Sequence, residues 1–196
     1  MQVFFSEDDY RQYVAILHKQ ACRHALDIWA YCLMPNHVHL VVVPSSEQGL
    51  AVPLGRAHHR YALEINSRND WTGHLWQERF SSFPMDEAHL MAAIRYVLLN
   101  PVRAGLARTA IEWPHSSARA QVLGEPDLLV NCKPGAERVH DWQTFLAENA
   151  DGAMEALRRH GRLGRPLGSD DFIARLESIS GRTLRPRKVG RKPRRK

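Results

Sequence analysis

The order of hydrophobic periodicities predicts an α+β domain. Three observations carry that reading. The first twenty-odd residues repeat apolar positions at helical spacing, residues 26–43 alternate with period two around Met34-Pro35-Asn36, and two further helical stripes flank a short β-like piece. Up to residue 100 the segments therefore read helix, strand, strand, helix, strand, helix.

Each element has a local cause. Ser6 can cap a helix whose first turn holds Glu7, Asp8 and Asp9, acids that complement the positive dipole end. Tyr10, Tyr13, Val14, Leu17 and Ala21 recur at helical spacing, which predicts a helix over about 6–25. Residues 26–33 alternate as a strand, Met34 to Asn36 turn, and 37–43 return, forming a hairpin. Leu50, Leu54, Ala57, Tyr61 and Ile65 form the stripe of a second helix over about 48–68. A strand-like piece covers about 78–83, and Asp86 then opens a third helix that Pro101 stops near Asn100. Further helices are expected near 115–123, 141–160 and 170–180, with 161–168 as a linker. There is no internal repeat.

At 196 residues and 44% hydrophobic content, the chain can bury a sizeable core and carry an extension. No apolar run approaches the ~20 residues of a membrane span, and the acidic start after Phe5 does not read as a signal peptide. Cys22, Cys32 and Cys132 are odd in number and never paired as Cys-x-x-Cys, which suggests reduced thiols in a cytoplasm. The formal charge of +6 is unevenly spread: residues 182–196 hold nine of the 27 basic residues and no acid, leaving 18 against 21 acids elsewhere. Such a Pro-interrupted basic block is expected to be disordered when free and to bind phosphate backbones through counterion release. The alternative is a solubilising tail.

Tyr31-Cys-Leu-Met-Pro-Asn-His37-Val38-His39-Leu-Val-Val-Val43 is the most informative stretch. Strand alternation points His37 and His39 to one face and Val38 to the other, so the two imidazoles can form half of a metal site. A chain with 11 histidines also produces His-x-His by chance. A zinc site that adds Cys32 is conceivable, although its spacing matches no common finger.

The third helix supplies a second constellation. Leu90, Ile94, Val97 and Leu98 define its apolar stripe; Tyr96 lies roughly 135° and Asn100 roughly 95° from the centre of that stripe. Tyr96 and Asn100 stand at i and i+4, one above the other and off the core face. They can also be read as a boundary tyrosine and a helix-ending asparagine. A phenol, with its pKa near 10, is a weak nucleophile, and a divalent ion on a target phosphate removes that difficulty. Two histidines and an asparagine oxygen would make a three-ligand site with open positions.

These residues carry a resemblance. Tyr31-Cys-Leu-Met-Pro-Asn-His-Val-His-Leu40, Trp76-Gln-Glu-Arg-Phe80, Tyr96-x-x-x-Asn100-Pro-Val-Arg-Ala-Gly105 and Trp113-x-x-Ser116-Ser-Ala-Arg119 resemble the REP-associated tyrosine transposases, bacterial single-tyrosine members of the HUH superfamily. The similarity covers about residues 2–124, and residues 1–124 read as the transposase domain. Residues 125–181 follow as a helical C-terminal extension and 182–196 as a disordered basic tail. Gly164-Arg-Pro-Leu-Gly168 and Leu184-Arg-Pro-Arg-Lys188 resemble the extension of longer family members.

The resemblance implies a ferredoxin-like antiparallel sheet with helices on one side and the histidine pair opposite the tyrosine helix. It implies Mg²⁺ or Mn²⁺, although imidazole ligands alone would suggest zinc. By motif position His37, His39 and Asn100 would hold the metal. Tyr96 would attack a DNA phosphodiester, giving a 5′-phosphotyrosine and a free 3′-OH. The implied partner is single-stranded DNA beside palindromic hairpins, in a cytoplasmic, nucleoid-associated protein that is a monomer or homodimer. Arg79, Arg103 and the tail residues Arg187, Lys188, Arg191 and Lys192 are candidate DNA contacts; Arg103 can also be read as an ordinary surface arginine.

The chain departs from the family pattern at its start. Members place a further strand and an Arg/Gly-containing loop ahead of the segment matching Gln2 to Phe5, whereas Met1 begins here. A sheet without that strand is therefore expected, with 37–43 as an exposed apolar edge. A start codon placed too late and a decayed copy are the two explanations. Two other functions stay open: a hairpin-binding protein that does not cut, and a metal-dependent hydrolase using water. The latter needs a general base, and no Asp or Glu adjoins the histidine pair.

Overall fold

The structure, a computed structural model, describes residues 2–46, 49–148 and 151–185. Its elements run α1 (Glu7–Arg23), β1 (Leu26–Met34), β2 (His37–Pro44), α2 (Ala51–Arg68), α3 (Glu87–Leu98) and α4 (Asn100–Arg103). A 3₁₀ turn (Ala110–Glu112), α5 (Ala118–Leu123), α6 (Lys133–Ala136), α7 (Trp142–Ala147), α8 (Asp151–Leu163) and α9 (Asp170–Ser180) follow. None of the described helices is long and apolar enough to cross a membrane.

The predicted caps form. Ser6 accepts from the Asp9 amide, and the Asp9 carboxylate accepts from the Ser6 and Phe5 amides at 3.0 and 2.7 Å, closing a capping box. Asp9 is fully buried, and Arg68 from the end of α2 meets it at 2.6 Å. Burial alone would raise the Asp9 carboxyl; the Arg68 guanidinium and the two amides more than offset that and hold it below the usual carboxylate value. Asp86 likewise caps α3 by accepting from the His89 amide.

β1 and β2 pair antiparallel, with His37 opposite Met34 and His39 opposite Cys32, and a bulge lies between Ile28 and Ala30. Helices cover both faces of this hairpin rather than one, because both faces are apolar. Ile28, Tyr31 and Leu33 join α1 and α2 through Tyr13, Leu17, Tyr61 and Ile65, with Val38, Leu40 and Val42 packed against them. Ala30, Cys32, Met34 and Val41 join the α3 stripe of Leu90, Ile94, Val97 and Leu98 on the other side. The α+β class holds, and the sheet among the described residues is two-stranded.

The two edges of the hairpin differ. The outer edge of β1 is occupied: the Leu33 amide donates to the His115 carbonyl at 2.8 Å, the Ser117 amide to Tyr31 at 3.0 Å, and the Asn131 amide to Ile28 at 2.7 Å. Trp113 adds an indole N–H to the Leu33 carbonyl at 3.0 Å. The other edge, β2, borders a groove of about 1050 Å³ running between α2 and α3.

Three expected elements differ. Residues 78–83 form no strand; ladder pairing there is reduced to one parallel bridge between Met85 and Leu167, just past Pro84, which has no amide hydrogen to donate. The helix expected over 141–160 is two: α7 ends where Glu148 turns extended, and α8 begins at Asp151. The expected linker is largely packed structure, since α8 runs on to Leu163 and Leu167 is buried.

Candidate active site

β2 begins at His37, directly after the tight turn at Pro35 and Asn36, so strand alternation starts on the first imidazole. The consequence is geometric: the Nε2 atoms of His37 and His39 lie 2.9 Å apart, their rings nearly perpendicular. His37 Nδ1 lies 2.6 Å from Asn36 Oδ1, a partner that can only accept. The proton therefore sits on Nδ1, and the lone pair of His37 Nε2 faces His39. Burial pulls His37 below its usual pKa. His39 is pulled down to about 3, by burial first and then by the nearby His37 and Arg103. Both imidazoles are thus neutral near pH 7, the form that ligates metal.

α3 brings Tyr96 to this pair: its ring is nearly perpendicular to that of His39, with centroids 5.7 Å apart. Pro101 cannot donate the next helical hydrogen bond, yet the chain stays near αR at Leu99 and continues as α4. Asn100 consequently keeps its place one turn beyond Tyr96. It is buried at 8% exposure, contrary to its expected position off the core: α4 packs against β1 and the 3₁₀ turn, and Arg103 binds the Asn100 oxygen. Arg103 is no ordinary surface arginine. Its guanidinium carbon lies 4.0 Å from the Tyr96 ring centroid, and Nη2 donates to Asn100 Oδ1 at 2.8 Å.

A metal can be tested against these residues. Among the described residues no three His, Cys, Asp or Glu side chains cluster, so a third protein ligand beside the histidines must be of another type. The Asn100 amide oxygen suits a hard ion such as Mn²⁺ or Mg²⁺. Two imidazole nitrogens at 2.9 Å are spaced as neighbouring ligands of one ion are, at ~2.1 Å from each nitrogen. Among the described residues the buried Asn100 Nδ2 has no partner, and as a donor it leaves the oxygen as the only ligand atom the amide can offer. The spacing of the two histidine nitrogens fits a divalent ion, and Asn100 offers an oxygen one helical turn from the tyrosine beside them. Cys32 does not join them: its thiol lies 3.6 Å from the Met34 sulfur, and burial pushes it up to about 12.

The remaining candidates fall elsewhere. Arg79 is exposed and lines a separate pocket of about 600 Å³ beside Trp76 and His59. Arg187, Lys188, Arg191 and Lys192 lie outside the described residues. The sequence reading missed Met154, whose sulfur lies 3.1 Å from Arg103 Nη1 and backs it from α8. No local signal marks a contact 51 residues away.

Comparisons with known proteins place the chain in a family. A "Putative REP-associated tyrosine transposase" of Haemophilus influenzae is 25% identical over 129 residues, covering 60% of this chain and 73% of its own. No solved structure matches significantly. The family model described as "Transposase IS200 like" matches residues 1–99, just over half of the chain and the part that holds His37, His39 and Tyr96. The chain belongs to the IS200-like transposase family.

Proposed function

We propose that the protein is a DNA strand transferase that cuts single-stranded DNA beside small hairpins, with Tyr96 as nucleophile. The observation that carries this reading is the convergence of two neutral imidazole nitrogens 2.9 Å apart, next to a half-buried tyrosine. His37, His39 and Asn100 would hold Mg²⁺ or Mn²⁺. When bound, such an ion polarises the phosphoryl oxygen and stabilises the leaving alkoxide.

The chain's own groups do the rest. Packing between the His39 ring and the Arg103 guanidinium fixes where the Tyr96 oxygen sits. That oxygen loses its proton and forms the bond to phosphorus, while the bond from phosphorus to the 3′ oxygen breaks. The 3′ oxygen leaves with the electron pair and takes up a proton, giving a 5′-phosphotyrosine and a 3′-OH. Attack by that or another 3′-OH reverses the step and joins strands. Arg79, Arg103 and the tail residues Arg187, Lys188, Arg191 and Lys192 are the proposed contacts to DNA phosphates.

The test is a covalent-adduct assay with hairpin-bearing single-stranded oligonucleotides and Mn²⁺. Wild type is expected to form an adduct that Tyr96→Phe does not. An adduct that persists in Tyr96→Phe overturns the assignment. Hairpin affinity with no cleavage under any metal condition identifies a binding protein instead.

A further inference from the structure

Tyr96, Asn100 and Arg103 follow one another along one side of the α3–α4 path. Arg103 engages both of the others at once: its cationic carbon is 4.0 Å from the Tyr96 centroid, and Nη2 donates to Asn100 Oδ1 at 2.8 Å. Met154 of α8 meets Nη1 at 3.1 Å, so that helix backs the guanidinium. The third donor nitrogen, Nε, is buried without a partner among the described residues. The oxygen assigned above to a divalent ion is therefore already bound by a cation.

An amide oxygen has two lone pairs, so the geometry leaves room for a second partner. The charges do not. A divalent ion and a guanidinium meeting at one oxygen are roughly 4–5 Å apart, and in a half-buried site that repulsion is only partly screened. A phosphodiester entering the groove changes the balance. Its negative charge offsets both cations, and its oxygens offer Nη2–H a stronger, charge-assisted acceptor than an amide.

Resting on the reading of the site given above, we propose that Arg103 is a positioning residue that couples metal binding to DNA binding. Without DNA it holds Asn100 Oδ1 and disfavours the divalent ion; a DNA phosphate takes Nη2 from Asn100 Oδ1, with the guanidinium still over the Tyr96 ring, and admits the ion. Cutting metal is then loaded chiefly when substrate is present. By reciprocity, the ion tightens DNA binding by the same factor.

The experiment is a Mn²⁺ titration read by the electron paramagnetic resonance of free Mn²⁺, on the full chain carrying Tyr96→Phe so that DNA is not consumed. Adding a hairpin oligonucleotide is expected to tighten Mn²⁺ binding about tenfold. Adding Arg103→Ala is expected to tighten it by a similar factor without DNA and to leave little further gain when DNA is added. Loss of a merely structural arginine would weaken binding, so the gain is diagnostic. Arg103→Gln removes the charge while keeping a polar chain in the pocket, and carries the same expectation should the alanine variant not fold. Arg103→Lys keeps the charge and should keep the coupling. Neutral variants that bind Mn²⁺ no more tightly than the parent overturn the proposal. Mn²⁺ binding that is indifferent to His37→Ala and His39→Ala overturns the site reading itself, a result separable from any outcome at Arg103.

Discussion

His37 Nδ1 and Asn36 Oδ1 are 2.6 Å apart, so a turn residue decides which nitrogen of a candidate metal ligand is free. Asn36→Ala removes the acceptor and lets the imidazole turn and change tautomer. Mn²⁺ affinity is expected to fall by about 10- to 100-fold, with the thermal midpoint nearly unchanged. Isothermal titration with Mn²⁺ checks it.

The second prediction concerns pH. Burial pulls His58 down to about 4, between the stacked Trp76 ring and the Tyr13 hydroxyl, and His39 down to about 3. Both stay neutral in the folded state where an unfolded imidazole, with its pKa near 6.5, takes a proton. The unfolded state therefore binds more protons, and stability falls as pH drops from 6.5 toward 4. Each such group contributes a slope of up to about 1.4 kcal/mol per pH unit. Urea midpoints between pH 7 and 4.5 should show it, and His58→Gln should flatten the curve.

The serine motif after Trp113 makes a third prediction. Ser117 Oγ accepts the Tyr31 amide at 3.0 Å and lies 3.3 Å from the Tyr31 carbonyl, in full burial. Ser117→Ala strands that amide and is expected to cost about 1–3 kcal/mol. Adduct yield per folded molecule should not change, since the contact lies on the β1 edge away from the histidines. Chemical denaturation alongside the adduct assay separates the two effects.

Arg95 ties the C-terminal helices to α3. It is 7% exposed, its guanidinium lies 3.9 Å from the Phe145 centroid, and it pairs with Glu148 at 2.5 Å. Because Glu148 stays largely in water, removing Arg95 strands no buried carboxylate. Arg95→Ala should cost about 1–2 kcal/mol, from the lost ring contact and packing. Faster proteolytic cleavage within residues 140–165 is the measurement that checks it.

Much of the site was legible because it rests on short-range geometry. Strand alternation alone puts His37 and His39 on one face, and helical spacing alone stacks Tyr96 under Asn100. What long-range contact decides was not legible. Asn100 is buried where α4 packs against β1 and the 3₁₀ turn, and the arginine that binds its oxygen is backed by Met154, far along the chain on α8. The motif Trp113-x-x-Ser116-Ser117 signalled family membership, but its job of closing the β1 edge needs the partner strand in view. The break between α7 and α8 was missed because apolar spacing persists through it, and periodicity does not register where a backbone turns extended.

Tyr96, wedged between an imidazole ring and a guanidinium, has surrendered its rotamer freedom before any DNA arrives. That entropy was spent in folding, so an encounter with DNA does not have to spend it again. Success in each encounter then turns on how the strand enters the groove: the nucleophile waits in a fixed place, and the substrate does the searching.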